Sequence, residues 1–279
     1  MPKTTFDELL DAGVHFGHLR RKWNPNMAPY IFTEKKGIHI IDLNKTIVKL
    51  DQAADAMKQI AKSGKKIMFV ATKKQAKDIV SDRVQAINMP FVTERWSGGM
   101  LTNFATIRKS VRKMTQIEKM KTDGTFDTMS KRERLFKTRQ KNKLEKNLGS
   151  IAELTRLPAA LFVVDILKEH IAVAEANKLG IPVFAMVDTN SDPTQVEFAI
   201  PANDDASKSI SKIMDVVCES VAEGLSERKA DKEKKSAEQA KAEEAKKAAV
   251  EKKKAAAKKV DVAEEAPVSE TAKEEKSEG

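Results

Sequence analysis

With 279 residues, 41% of them hydrophobic, the chain is long enough to bury one or two real cores, and its formal net charge of +10 directs it toward anionic partners. A single cysteine, Cys218, excludes an internal disulfide and fits a reducing compartment, with core packing as its expected role. No window approaches the roughly 18 consecutive apolar residues of a membrane span, and residues 1–11 hold no apolar run before a cleavage site, so a soluble, cytoplasmic protein is expected.

Residues 4–12 pattern as a short amphipathic helix with Phe6, Leu9 and Leu10 on one face, ending at Gly13. His15 and His18 follow. Two histidines three apart can share a metal, but no Cys or acid stands at ligand spacing beside them, so no metal is assigned and RNA contact or a structural role is expected. Arg20, Arg21 and Lys22 precede Trp23, an interleaving of cations with an aromatic that suits phosphate contact and stacking; Trp23 serves equally as a loop anchor. Tyr30-Ile31-Phe32 and Ile38-His39-Ile40-Ile41 flank Lys35-Lys36-Gly37 as a β-hairpin. Asp42 or Asn44 then caps a long helix carrying Ile47, Leu50, Ala54, Met57 and Ile60, which stops at Ser63-Gly64. Residues 66–71 read as a strand buried on both faces, Thr72 follows, and a helix spans 73–87, a unit from which parallel sheets are built. Phe91-Val92 is a second short strand, and Gly98-Gly99 allows a tight backbone ahead of Thr102 or Asn103 as a helix cap.

Residues 103–146 concentrate the charge: 14 Lys and Arg against five acids, a net of +9 out of the chain's +10. Apolar residues recur there with helical spacing, Ile107, Val111, Met114 and Ile117 first, then Leu135, Leu144, Leu148 and Ile151. Thr122-Asp123-Gly124 stops one helix, and Thr128 or Ser130 starts the next. An antiparallel helical hairpin follows, a coiled coil with a thin apolar seam and basic flanks. A charged flank is ordinarily only a solvated face, but cations this dense repel one another within the ~10 Å Debye length unless a polyanion neutralises them, and nucleic acid is the commonest such partner. The expected RNA contacts are Arg108, Arg112, Lys113, Arg132, Arg134 and Arg139 from the hairpin, then Arg20, Arg21, Lys22, Arg95 and Trp96 from the loops.

Residues 159–165 form another buried strand ending in Asp165, a helix spans 170–179 and closes at Gly180, and residues 181–188 form a further strand. Phe198-Ala199-Ile200-Pro201 is expected at a sheet edge, since proline cannot donate to a ladder. Asp204 or Asp205 caps a last helix over 206–223 with Ile210, Ile213, Met214, Val217 and Val221 inward. Buried strands alternating with helices predict a doubly wound α/β domain, a Rossmann- or flavodoxin-like parallel sheet with helices on both faces, over residues 1–102 and 149–224. Residues 103–148 are its inserted basic hairpin. Residues 225–279, mostly Lys, Glu and Ala with 15 bases against 14 acids, are expected as a mobile or partly helical tail.

In such sheets ligands bind beyond the carboxyl ends of the strands, where Thr72-Lys73-Lys74 can hold a phosphate and Asp165 or Asp188 and Asp192 can bind Mg²⁺. Against an enzyme, there is no G-x-G-x-x-G after a strand, no G-x-x-x-x-G-K-[ST] and no G-x-S-x-G, and His15, His18, His39 and His170 have no obvious Ser or Cys partner. No catalytic residue and no cofactor is assigned. A nucleotide- or metal-binding enzyme and a coiled-coil adaptor for acidic proteins are the alternatives, separated by where the charge lies and by nuclease treatment.

The motifs Gly13-Val14-His15-Phe16-Gly17-His18, Trp23-Asn24-Pro25-Asn26-Met27, Arg95-Trp96-Ser97-Gly98-Gly99-Met100-Leu101-Thr102-Asn103, Asp188-Thr189-Asn190-Ser191-Asp192-Pro193 and Ile200-Pro201-Ala202-Asn203-Asp204-Asp205 resemble the bacterial small-subunit ribosomal protein two family, over about residues 5–225. Ala71 and Ala202 stand where that family is expected to carry glycine, and the tail runs past its usual end. The resemblance implies a flavodoxin-like domain with an inserted helical hairpin, at the head–body junction on the solvent side of the small (30S) subunit. It further implies contact with 16S ribosomal RNA, late assembly, and support for docking of the mRNA-capturing small-subunit protein one. Neighbouring small-subunit proteins are the implied partners, with no catalysis, membrane or homo-oligomer.

Overall fold

The structure is a computed structural model that describes residues 3–233. One compact unit covers Met1–Arg228 and a second begins at Lys229; residues 234–279, most of the expected tail, lie outside the described residues.

Helix α1 (Phe6–Asp11) starts on a capping box in which the Thr5 side chain accepts from the Glu8 N–H and the Glu8 carboxylate accepts from the Thr5 N–H. Only Leu9 is buried; Phe6 and Leu10 stay exposed. Next come β1 (Phe16–Leu19), β2 (Ile31–Lys35) and β3 (Ile38–Ile41), a small antiparallel sheet in the order β1-β3-β2. The turn between β2 and β3 places Lys36 and Gly37 at positive φ, the conformation a two-residue hairpin turn demands. β1 carries no strand signal in the sequence, because its side chains are exposed or half-buried and its place is set by pairing across the sheet. α2 (Leu43–Lys62) begins at Asp42, whose carboxylate accepts from the Asn44 N–H at 3.1 Å.

The main sheet contains β4 (Ile67–Val70), β5 (Phe91–Val92), β6 (Ala160–Val164), β7 (Val183–Val187) and β8 (Phe198–Pro201), all parallel, in the order β5-β4-β6-β7-β8. β4, β6 and β7 are buried at every position, so their sequences are apolar without alternation. β8, with Pro201, lies at an edge. The intervening helices are α3 (Lys74–Ala86), α4 (Phe104–Thr122), α5 (Lys131–Leu148) and α6 (His170–Lys178), and α7 begins at residue 207.

The two-residue period of the strands sorts their side chains into two cores. Ile67, Phe69, Phe162, Val164 and Phe184 pack with Leu50, Met57, Val80, Ile213 and Val217 from α2, α3 and α7. Met68, Val70, Leu161, Val163 and Ala185 pack on the other face with Trp96, Met100, Val111, Leu148 and Val173. Helices therefore cover both faces of the sheet. Phe69, Phe162 and Phe184 are fully buried, each contributing about 1.5–3 kcal/mol by leaving water.

The start of α7 departs from expectation. Asn203, not an aspartate, takes the N–H groups of Asp205 and Ala206 on its Oδ1, at 2.9 and 3.3 Å, because Asp204 is fully buried with its carboxylate against Lys73. Among the described residues no helix is long and apolar enough to cross a membrane.

Candidate nucleic-acid interface

α5 opens on a capping box: Ser130 Oγ accepts from the Glu133 N–H at 3.4 Å, and Glu133 accepts from the Ser130 N–H at 3.2 Å. α4 has no side-chain cap, since the Asn103 side-chain Oδ1 accepts from the Thr106 hydroxyl and the Thr102 hydroxyl donates to Glu175. Val111, Met114 and Ile117 are buried along α4 and Leu148 at the foot of α5. Two contacts give the register: Lys137 Nζ lies 3.6 Å from Met120 Sδ, and Lys141 Nζ 2.8 Å from Glu118 Oε1. Numbers rise along one helix as they fall along the other, so the two run antiparallel. The ion pair holds the Glu118 carboxyl below its ordinary value and the Lys141 ammonium above its own.

Leu135 does not take the inward position expected for it: it is 51% exposed. From 135 to 144 is about two and a half helical turns, so Leu135 and Leu144 point to opposite sides of α5. The half-buried Lys137 and Lys141 turn inward in its place, laying their aliphatic stems along the apolar line.

Of the residues expected to meet RNA, Arg112, Lys113, Arg132 and Arg139 are exposed and have no ion pair or hydrogen bond among the described residues. Arg134 is partly engaged, donating from Nε to the Met129 carbonyl at 3.0 Å and facing Asp127 at 3.8 Å. Arg108 is half-buried and donates to the Leu154 carbonyl at 2.8 Å, which ties α4 to the segment after α5. With Arg112 and Lys119 it lines a groove of about 440 Å³. Arg21, Lys22 and Arg95 are exposed, and Arg20 faces Glu34 at 3.3 Å. Residues 20–22 form a short turn, and the Asn24 N–H that follows it donates to the Thr189 carbonyl just past the end of β7. Trp96 is the exception in kind: it is 6% exposed and gives its indole N–H to Glu175 at 3.1 Å, so packing closes its ring to a base.

Glu175, on α6, is the residue that sequence reasoning passed over. Its carboxylate accepts from the N–H groups of Gly99, Leu101 and Thr102 at 2.7, 2.9 and 3.0 Å, from the Thr102 hydroxyl at 3.1 Å and from Trp96. Burial pushes the carboxyl up, but the Thr102 and Leu101 N–H groups, the Trp96 indole and the Gly99 N–H outweigh it and hold the group below its ordinary value. This anion fixes the segment that leads into α4. Its signal in the sequence is position: it falls among Ala172, Val173 and Ala176 on the inward side of α6.

Beyond the strand ends lies a second cluster. His18 Nδ1 stands 2.9 Å from Asp188 Oδ2, and His18 Nε2 stands 3.3 Å from Asp205. Lys73 Nζ is 2.8 Å from Asp204, 2.7 Å from Asp205 and 3.3 Å from Asp165. Burial, then the charges of Asp188 and Asp165, push the Asp204 carboxyl up to about 7, and Asp188 raises the His18 imidazole. Donor atoms of His18, Asp188 and Asp204 lie within 4.8 Å of one another, a set whose chemistry fits a divalent cation. The sequence assigns no metal to His15 and His18 and offers Asp165, or Asp188 and Asp192, separately as oxygen ligands; the fold joins His18 to Asp188 and Asp204, which lie some 170 to 186 positions further along the chain. His15 stays outside the set, its ring 4.0 Å from that of Phe16. The phosphate reading of Thr72-Lys73-Lys74 is overturned: the Lys73 ammonium is consumed by three carboxylates, and four acids crowd the place a phosphate would take.

The family model described as ribosomal protein S2 matches residues 9–224. The "Small ribosomal subunit protein uS2" of Phocaeicola vulgatus is 68% identical over 232 residues, covering 83% of each chain. Its namesake in Bacteroides thetaiotaomicron is 66% identical over 232 residues, 83% of this chain and 84% of its own. That of Flavobacterium johnsoniae is 68% identical over 231 residues, covering 83% and 91%. With a family match across the sheet and both charged helices, and relatives this similar over most of both chains, the chain belongs to the ribosomal protein S2 family.

Proposed function

We propose that this protein is a structural constituent of the small (30S) ribosomal subunit in the cytoplasm, and that α4 and α5 act as a coiled-coil arm gripping 16S ribosomal RNA. The family is one of ribosomal proteins, not of enzymes. The observation that carries the reading is the set of exposed cations without partners among the described residues, Arg112, Lys113, Arg132 and Arg139, on a segment holding +9 of the chain's +10. Such side chains meet phosphates and set register, while RNA shape supplies specificity, because the A-form major groove is too narrow to be read. Arg108, Arg112 and Lys119 offer one groove to a phosphate run; Arg134 on the arm, and Arg20, Arg21, Lys22 and Arg95 on the loops, add contacts. In this reading the protein sits where head meets body on the solvent side and supports the docking of the mRNA-capturing small-subunit protein one.

Replacing Arg112, Lys113, Arg132 and Arg139 together with Glu tests this. Loss of co-sedimentation with small subunits, with an unchanged circular dichroism spectrum and melting midpoint, is the expected result. Undiminished co-sedimentation would overturn the RNA-gripping role.

A further inference from the structure

We propose that the outward side of α5 carries a base-stacking site, in which the Phe136 ring receives an unpaired or flipped-out nucleotide base while Arg132, Arg139 and Lys143 hold the adjoining phosphates. The inference rests on the reading that this helical pair meets ribosomal RNA. Phe136 is 67% exposed, one of the two most exposed large apolar side chains of the protein's described residues. It has no part in joining α5 to α4, because the inward line of α5 is made by Lys137, Lys141, Leu144 and Leu148. At ~100° per residue, Arg132, Phe136, Arg139 and Lys143 fall within an arc of about 60° on the opposite side. All three cations are exposed and lack an ion pair or hydrogen bond among the described residues.

An aromatic ring set between cations suits a ligand that is flat and apolar in one part and anionic in the next, which is the chemistry of a nucleotide. A-form duplex hides its base faces, so the ring is addressed by a loop, a bulge or a strand end. A protein partner would ask for a patch of further apolar residues around the ring. The turn above and the turn below Phe136 instead present Arg132, Glu133, Arg139 and Gln140, the Glu133 carboxylate being taken by the Ser130 N–H and hydroxyl, with only Leu135 as an apolar neighbour.

The test uses the full-length chain and small-subunit particles depleted of this protein, with affinity measured over a range of salt. Phe136→Ala is expected to bind about tenfold more weakly, within the range set by one base stacked on one ring. Phe136→Leu, which keeps bulk but has no π face, should be weakened alike, and Phe136→Trp should bind as wild type and add an emission that is quenched in the complex. The salt slope should stay as it is in all three, whereas Arg132→Ala should lower it by about 0.7–0.9. Zero-length ultraviolet crosslinking should leave a nucleotide on Phe136. Wild-type affinity for Phe136→Ala, wild-type affinity for Phe136→Leu, or a peptide adduct at Phe136 would each overturn the stacking site while leaving the RNA-gripping arm intact. Absence of any salt-dependent binding by the wild type would instead sink the arm itself.

Discussion

A carboxylate turned into an apolar layer must either take a proton or collect donors, and Glu175 has collected five. Glu175→Gln keeps the shape but removes the charge and turns an NH₂ toward N–H groups, so it should cost about 2–3 kcal/mol at neutral pH by urea unfolding. The sign with pH follows from the lowered carboxyl. Its contribution is complete above the ordinary glutamate value of 4.5 and is lost as pH falls through the lower folded value, so wild type and Glu175→Gln should converge in acid. A stability gap that stays constant between neutral pH and acid would refute this account. At this scale the sequence was legible only where neighbours decide the outcome. Trp96 is expected from its loop position to contact RNA, but the partner that claims it lies on a helix 79 residues away, a distance no local pattern spans. His18 is the same case, since Asp188 and Asp204 reach it only through the sheet.

Elements were easier to read than residues, and for a physical reason: burial on both faces forces a run of apolar side chains that needs no partner to be seen. β4, β6 and β7 follow from their sequences in that way, and α2, α3 and α6 start and stop within a residue or two of where caps and glycines put them. β1 carries no such signal because its pairing is long-range, and Leu135 falls outside the seam because the nine residues to Leu144 make about two and a half turns rather than a whole number. The capping box at Ser130 is a local device with a local readout. Ser130→Ala should cost about 1 kcal/mol and raise amide exchange in the first turn of α5, with little change in the global melting midpoint. Unchanged protection of residues 131–134 would mean that tertiary packing alone starts this helix.

The whole molecule divides its labour by charge. Because residues 103–146 hold +9 of the +10, the rest of the chain is close to neutral, so affinity for polyanions should follow the helical pair and not the sheet. Excising residues 115–144 and closing the gap with a short glycine turn removes nine cations and four acids while keeping Val111, Leu148, Trp96 and Met100 in their core. Elution from immobilised ribosomal RNA should move to markedly lower salt, with the melting midpoint within a few degrees of the parent. Retention at the parent's salt would place the binding surface on the sheet layers instead. Lys73 gives this division another side. In parallel sheets the crevice past the strand ends is where small metabolites settle, and here an ammonium clasped by Asp165, Asp204 and Asp205 fills that crevice from within. Swings in cellular nucleotide supply should therefore find no lever on this protein, a useful indifference in a part that must behave alike in every particle it joins.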